Sequence, residues 1–240
     1  HQEDIISTKE TFLSALFNGI PTYIKETFTY QLPVIMPALG PRIGSIYLLT
    51  FLLSGTAKLA FVVLAGRNML EPPDFSEAET PSTSQKGERK SFFKALRKAF
   101  KRQIKIFAKI ALIFVLMTFV VLSLINAGLA EGLKKHIAPI TKAVDLPEEA
   151  IIPVATFAIS PLAGAGGIGT LIKSGKVTED QGVVIALLGG LLLLPVYSLR
   201  YSLAYYLSIF GFRLGMLVLV TSLGIGMFVR STVLLFFLFW

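Results

Sequence analysis

Apolar residues along this chain fall into long runs rather than short alternations, which predicts transmembrane helices and an all-α, polytopic fold. The cleanest run is Ile106 to Gly128, with Lys109 near its start and Asn126 near its end. At 1.5 Å per residue it covers a hydrocarbon core of about 30 Å. A second run, Ile43 to Ala65, contains Ser54, Gly55, Thr56 and Lys58. Gln181 to Trp240 is nearly all apolar, interrupted by Pro195, Arg200, Arg213 and Arg230. It reads as two or three helices: about 182–199, about 201–229 with a break at Gly211, and a short apolar end at 231–240.

Two stretches fit no single span. Residues 10–40 begin amphipathic (Phe12, Leu13, Leu16, Phe17, Ile20) and continue apolar with Pro33, Pro37 and Pro41, which reads as an interfacial helix followed by a broken span. Residues 148–172 are apolar but cut by Pro153, Pro161 and a glycine cluster, leaving open one broken helix or a re-entrant hairpin. The total is about five to six spans. Irregular backbone at membrane depth requires cover from protein or a watery cavity.

The chain divides into an N-terminal membrane half, 1–67, a flexible linker, 68–90, and a basic interfacial helix leading into the C-terminal membrane half, 91–240. From Lys86 to Lys105 there are nine Lys or Arg against one Glu, which matches the net charge of +8 of the whole chain. Phe92, Phe93, Leu96, Ala99, Phe100 and Ile104 recur there at helical spacing, as on a membrane surface. The positive-inside rule places the linker, 66–105, in the cytoplasm of a multi-pass protein of the cell membrane, beside anionic lipids. Nucleic acid is the competing partner for a basic run, but phosphate contacts call for no adjoining span.

Composition narrows the chemistry. Hydrophobic residues make up 53% of the chain and charged residues 16%, where a soluble domain carries roughly a quarter charged. Mean hydropathy is +0.69. An ordinary soluble enzyme and a disordered chain are both excluded. Cysteine is absent and histidine is limited to His1 and His136, so no thiolate cluster, metal cage or cofactor is expected. His136 reads as a solvated residue on a short amphipathic helix around Leu133, Ile137 and Ile140.

A weak internal repeat is visible. Gln31-Leu32-Pro33-Val34 opens a stretch ending at Arg67, and Leu193-Leu194-Pro195-Val196 opens one ending at Arg230. From the Leu before Pro to the final Arg these are 36 and 37 residues. An inverted pair of halves, as in many transporters, would place the two arginines on opposite faces.

The candidate site residues follow from what is expensive or irregular inside a bilayer. In Ser160-Pro161-Leu162-Ala163-Gly164-Ala165-Gly166-Gly167-Ile168-Gly169, proline removes a donor and the glycines permit close backbone approach. A helix broken there would offer Ser160, Gly164, Gly166, Gly167 and Gly169 to an ion or small anion. The plain alternative is tight helix packing by small residues. Ser54-Gly55-Thr56-Ala57-Lys58 lies mid-span, and a lysine there costs about 2.5 kcal/mol or more unless paired or snorkelling. Reaching the interface or pairing with Glu26 is the bland reading. Arg200 and Arg213 are the remaining intramembrane cations, whereas Arg42, Arg67 and Arg230 read as boundary anchors. No Asp or Glu falls within 182–240, so a coupling carboxylate is hard to find and the charge balance tilts toward an anionic or amphiphilic solute.

One segment resembles a known family. From Phe100 to about Leu188 the order is a basic helix, a span, Asn126-Ala127-Gly128-Leu129, an amphipathic segment, Ala138-Pro139-Ile140, Asp145-Leu146-Pro147-Glu148, Ile159-Ser160-Pro161-Leu162-Ala163-Gly164 and Leu171-Ile172-Lys173-Ser174-Gly175-Lys176-Val177-Thr178. This resembles the nucleoside-recognition, or Gate, domain of membrane proteins, which include nucleoside transporters, ferrous-iron transporters and spore-maturation proteins. The resemblance implies transport or gating but no substrate. No polar constellation suited to a base and ribose is present, so the nucleoside of the family name does not carry over. The expectation is a transporter or channel-like protein, a homodimer in the membrane, with no metal site. The alternative is a structural or assembly protein with no path. An enzyme is not expected, because no catalytic set falls within the spans.

Overall fold

A computed structural model describes residues 7–70 and 130–239, with isolated helical positions between 104 and 123. Helices account for nearly all of it, and among the described residues there is no strand. Helix α1, Thr8–Asn18, starts at a reciprocal cap: Ser7 Oγ accepts from Glu10 N–H at 3.2 Å and the Glu10 carboxylate accepts from Ser7 N–H at 2.6 Å. Its apolar face, Phe12, Leu13, Ala15 and Leu16, packs with Val62 and Val218 in a small cluster. After Gly19 come α2, Ile20–Glu26, and a wide π-helical stretch, Thr27–Ile35. Pro33 has no N–H to give an α-turn, and the helix dilates around it. The chain continues through α3, Met36–Leu39, and turns at Gly40 into α4, Pro41–Met69.

Helix α5, Ala130–Ala143, precedes a single 3-10 turn, Glu148–Ala150, and a helical hairpin of α6, Ile151–Ile159, and α7, Pro161–Lys173. Ser160 is extended and Pro161 starts α7, so the break between them is sharp. Helix α8, Glu179–Tyr197, is capped by Thr178 and Gln181 in the same reciprocal manner as α1. Every residue from Gly182 to Gly190 is buried. A helix apolar on all sides belongs at the centre. Phe157, Ile168, Ile185 and Leu187 form the main core where the hairpin meets α8, and Tyr47 of α4 packs edge-on to Phe157. A second π-helical turn, Ser198–Ser202, leads to α9, Leu203–Phe239, which bends at Gly211.

Pro41–Met69, 29 residues, and the bent apolar run Glu179–Phe239, 61 residues, are long and apolar enough to cross a membrane. Their outer faces carry exposed Leu49, Leu53, Val63, Leu64, Phe212, Leu217, Val220 and Phe228. Such a surface suits lipid rather than water. The linker beyond residue 70, the basic helix and most of the run Ile106–Gly128 lie outside the described residues; the described positions within that run include exposed Leu112, Val115, Leu116 and Phe119.

The C-terminal third departs from its expected division. Helix α9 begins at Leu203, close to the expected 201, and bends at Gly211, but it runs on through 231 to Phe239, so the short apolar end at 231–240 is no separate helix. The repeated geometry also has a different register. Gly40-Pro41-Arg42-Ile43-Gly44 and Gly211-Phe212-Arg213-Leu214-Gly215 lie 171 residues apart, against 162 for Leu32 and Leu194. Gly40 has φ 83° and Gly211 φ 75°, where side chains are disfavoured. In each elbow the second glycine touches the chain before the bend: a Cβ on Gly44 would lie 2.7 Å from Met36 O, and one on Gly215 2.7 Å from Tyr206 O.

Candidate functional site

A cavity of about 740 Å³ opens between α2, the wide turn after it, α4, α8 and α9. Side chains at helical spacing on α4, namely Tyr47, Phe51, Ser54 and Lys58, form one wall, and Ser222, Gly226 and Arg230 of α9 form another. The two helices run antiparallel, because Tyr47 meets Arg230 while Lys58 meets Ser222. Ser222 and Arg230 are eight residues apart on one helix, so the cavity separates its two buried cations by about 12 Å.

At one end Arg230 is 5% exposed. Its Nη1 donates to the Gly190 carbonyl, and its guanidinium stands 5.4 Å from the centre of the Tyr47 ring. Glycine at 190 makes this possible: a Cβ there would lie 2.6 Å from Arg230 Nη1 and 2.8 Å from the Tyr47 ring. Arg230 Nε and the nearby-buried Gln31 Oε1 have no hydrogen-bond partner among the described residues. Unpaired polar atoms of this kind are costly and call for a partner.

At the other end Lys58 is 3% exposed and its ammonium donates to Ser222 Oγ at 2.9 Å. It also approaches the junction of α1 and α2, where a Cβ on Gly19 would lie 2.5 Å from Nζ. Asn18 Nδ2 donates to the Tyr205 hydroxyl at 3.4 Å near the same end. Between the ends, the Tyr197 hydroxyl donates to the Glu26 carboxylate at 3.4 Å. Arg200, half-buried, lies 5.2 Å from the Tyr201 ring centre, and its Nε has no hydrogen-bond partner among the described residues. Three cations and one carboxylate therefore line the cavity, among tyrosines and apolar groups.

Of the site residues read from the sequence, the cavity brings together Ser54, Lys58 and Arg200. Ser54 is buried and donates to Thr50 O at 2.9 Å, so its hydroxyl is satisfied within its own helix. Gly55 backs against the Tyr23 ring, and Thr56 is exposed with its hydroxyl bonded to Leu53 O at 3.0 Å. Ile159 and Pro161, on either side of Ser160, reach the cavity, while the glycines of α7 are not among its lining residues. Gly164 abuts Phe157, Gly167 lies against Pro153, Gly169 nears Ala38 O, and Gly166 faces open space. Arg213 is exposed at its elbow.

Two expectations about charge are corrected. Arg230 is no boundary anchor, because the helix continues past it to Phe239 and turns that residue toward Gly190. Lys58 does not pair with Glu26, since its ammonium is taken by Ser222 and the carboxylate by Tyr197. The ion pairs among the described residues are exposed ones, Arg42 with Glu179 and Asp180, and Lys176 with Glu149. Sequence reading also passed over Tyr23, Tyr30 and Tyr47; the spacing of Tyr47, Phe51, Ser54 and Lys58 is the signal that locates that wall. Among the described residues no three His, Cys, Asp or Glu side chains group to hold a metal, and the His136 side chain lies outside the described ones.

Three proteins of Methanocaldococcus jannaschii are similar to this chain along almost its whole length. The uncharacterized protein MJ0880 is 27% identical over 238 residues, which is 98% of this chain and 75% of that protein. The uncharacterized protein MJ0871 is 26% identical over 224 residues, 93% and 68% of the two chains. The uncharacterized protein MJ1556 is 25% identical over 222 residues, 92% and 69%. No family model matches, and no solved structure matches.

Proposed function

We propose that this protein is a membrane transporter or channel-like protein for a small solute, anionic or amphiphilic, whose path runs through the cavity between Lys58 and Arg230. In this reading about five to six spans cross the cell membrane, with 20–39, 41–69, 106–128 and the two arms either side of Gly211 as spans. The hairpin 151–173 is re-entrant, since neither α6 nor α7, at 9 and 13 residues, covers about 30 Å. The basic linker faces the cytoplasm, and two copies assemble as a homodimer in lipid.

The observation that carries the reading is the placing of two nearly sealed cations, without carboxylate partners among the described residues, at opposite ends of one cavity. Buried charge is retained where function uses it. An anion supplies the missing partner, and the tyrosines and apolar walls suit a short hydrocarbon portion. The Gate-like order of segments agrees with a transport role.

The test is flux in proteoliposomes, with hexanesulfonate as probe because it stays anionic and does not leak across lipid as a neutral acid. Wild type carries it, Lys58→Met reduces the rate by about tenfold or more, and Arg213→Ala, outside the cavity lining, leaves it unchanged. No flux above protein-free liposomes, or equal flux in Lys58→Met, overturns the reading.

A further inference from the structure

Sequence reading found no coupling carboxylate, yet the fold brings one into the cavity from the N-terminal arm. Helix α2 runs antiparallel along α4: Gly19 meets Lys58, and Tyr23 meets Gly55 and stacks 5.0 Å from Phe51. Glu26, one turn further on, therefore stands between the Lys58 end and the Arg230 end. Among the described lining residues it is the one carboxylate. An anion moving from one cation to the other passes it.

We propose that Glu26 couples anion occupancy of this cavity to a proton: neutral Glu26 admits the anion between Lys58 and Arg230, and charged Glu26 repels it. The proton adds to a Glu26 carboxylate oxygen from the side the anion enters and leaves to water on the other side, so one anion and one proton cross together. This rests on the cavity being the anion's path.

The groups facing Glu26 support the assignment. Lys25 is its neighbour on α2, and Lys58, Arg200 and Arg230 come from α4, the turn after α8, and α9. Tyr23 and Tyr30 line the same cavity from its own arm, Tyr47 from α4, Tyr197 and Tyr201 from the C-terminal arm, and Tyr205 and Tyr206 from α9. Glu26 is the carboxylate of this lining among the described residues, and a carboxylate takes up a proton as the pH falls below neutral. Tyr197 holds the carboxylate in place through its hydroxyl.

The experiment is binding of hexanesulfonate to the full chain in nanodiscs, followed calorimetrically from pH 7 to pH 5. Wild type gains about tenfold in affinity as the pH falls, the size expected from removing one like charge a few ångströms from the path. Glu26→Gln, which keeps an oxygen for Tyr197, binds at the acid-side affinity at every pH. Tyr197→Phe retains the step but moves its midpoint, which a folding defect at position 26 would not mimic. The proposal is overturned if wild type shows no pH step, if Glu26→Gln keeps the wild-type step or stays at the weaker affinity, or if hexanesulfonate does not bind at any pH. Binding with the expected step but no flux in proteoliposomes leaves the proton linkage standing and removes transport.

Discussion

Lys58 and Arg230 occupy the two ends of one cavity on antiparallel helices, and solvent reaches 3% of one and 5% of the other. Their surroundings differ. Arg230 is clamped: a carbonyl takes one nitrogen, an aromatic face covers the guanidinium, and a residue without a side chain lets all three close together. Lys58 has one hydroxyl for an ammonium with three protons. A planar guanidinium is pre-organised for a fixed fork, whereas an ammonium on a four-carbon stem swings. Equal burial therefore conceals two conditions: one cation is part of the packing, and the other is held loosely enough to exchange its partner.

The largest expected effect separates the two by neutral replacement. Arg230→Met removes a charge-assisted hydrogen bond to a buried carbonyl and the ring contact, and is expected to lower stability by about 2 kcal/mol. Lys58→Met removes a buried cation that has no anionic partner among the described residues and puts a similar volume in its place. Its stability is expected within about 1 kcal/mol of wild type, or above it. Unfolding in mixed micelles measures both. Equal destabilisation by the two changes would mean that Lys58 is as much a structural residue as Arg230.

A second test crowds each cation from outside. Alanine at 190 brings a methyl within 3 Å of both Arg230 Nη1 and the Tyr47 ring, so two groups packed on each other must shift together, and is expected to cost about 1–3 kcal/mol. Alanine at 19 meets only the far end of the Lys58 side chain, which can swing aside into the cavity, so a loss below about 1 kcal/mol is expected. A large loss at 19 would show that the ammonium is as tightly fixed as the guanidinium, and the distinction between the two ends would fail.

Much of the helical frame was legible in the residues, and the cavity was not. The break at Pro161, the bend at Gly211 and the depth of Lys58 are all local events, readable from neighbours in sequence. Arg230 was misread for a physical reason. Distance from the end of an apolar run says how deep a charge sits but not which way it faces, and its facing is set by Gly190, forty residues away. Glu26 is a similar case: its meeting with Tyr197 spans 171 residues, far beyond any local pattern. The glycines of α7 had two readings, and their contacts with Phe157 and Pro153 fit the packing one.

The smallest expected effect concerns the elbows. Arg42 and Arg213 hold the same place in the two repeated glycine turns, yet only the first has been given partners. Arg42 lies 2.7 Å from Asp180 and 3.5 Å from Glu179, in the first turn of α8. Those carboxylates already gain from the positive end of that helix, and all three side chains are more than half exposed, so the pair adds little. Arg42→Ala is expected to lower stability by about 0.5–1 kcal/mol at low salt and by less at high salt. Arg213 is exposed and forms no ion pair among the described residues, so Arg213→Ala is expected to stay within about 0.5 kcal/mol of wild type at any salt concentration. A salt-dependent loss at Arg213 matching that at Arg42 would mean that the second elbow has an acidic partner of its own. The two arms would then be tied down alike, rather than one being pinned to α8 and the other left free to move about Gly211.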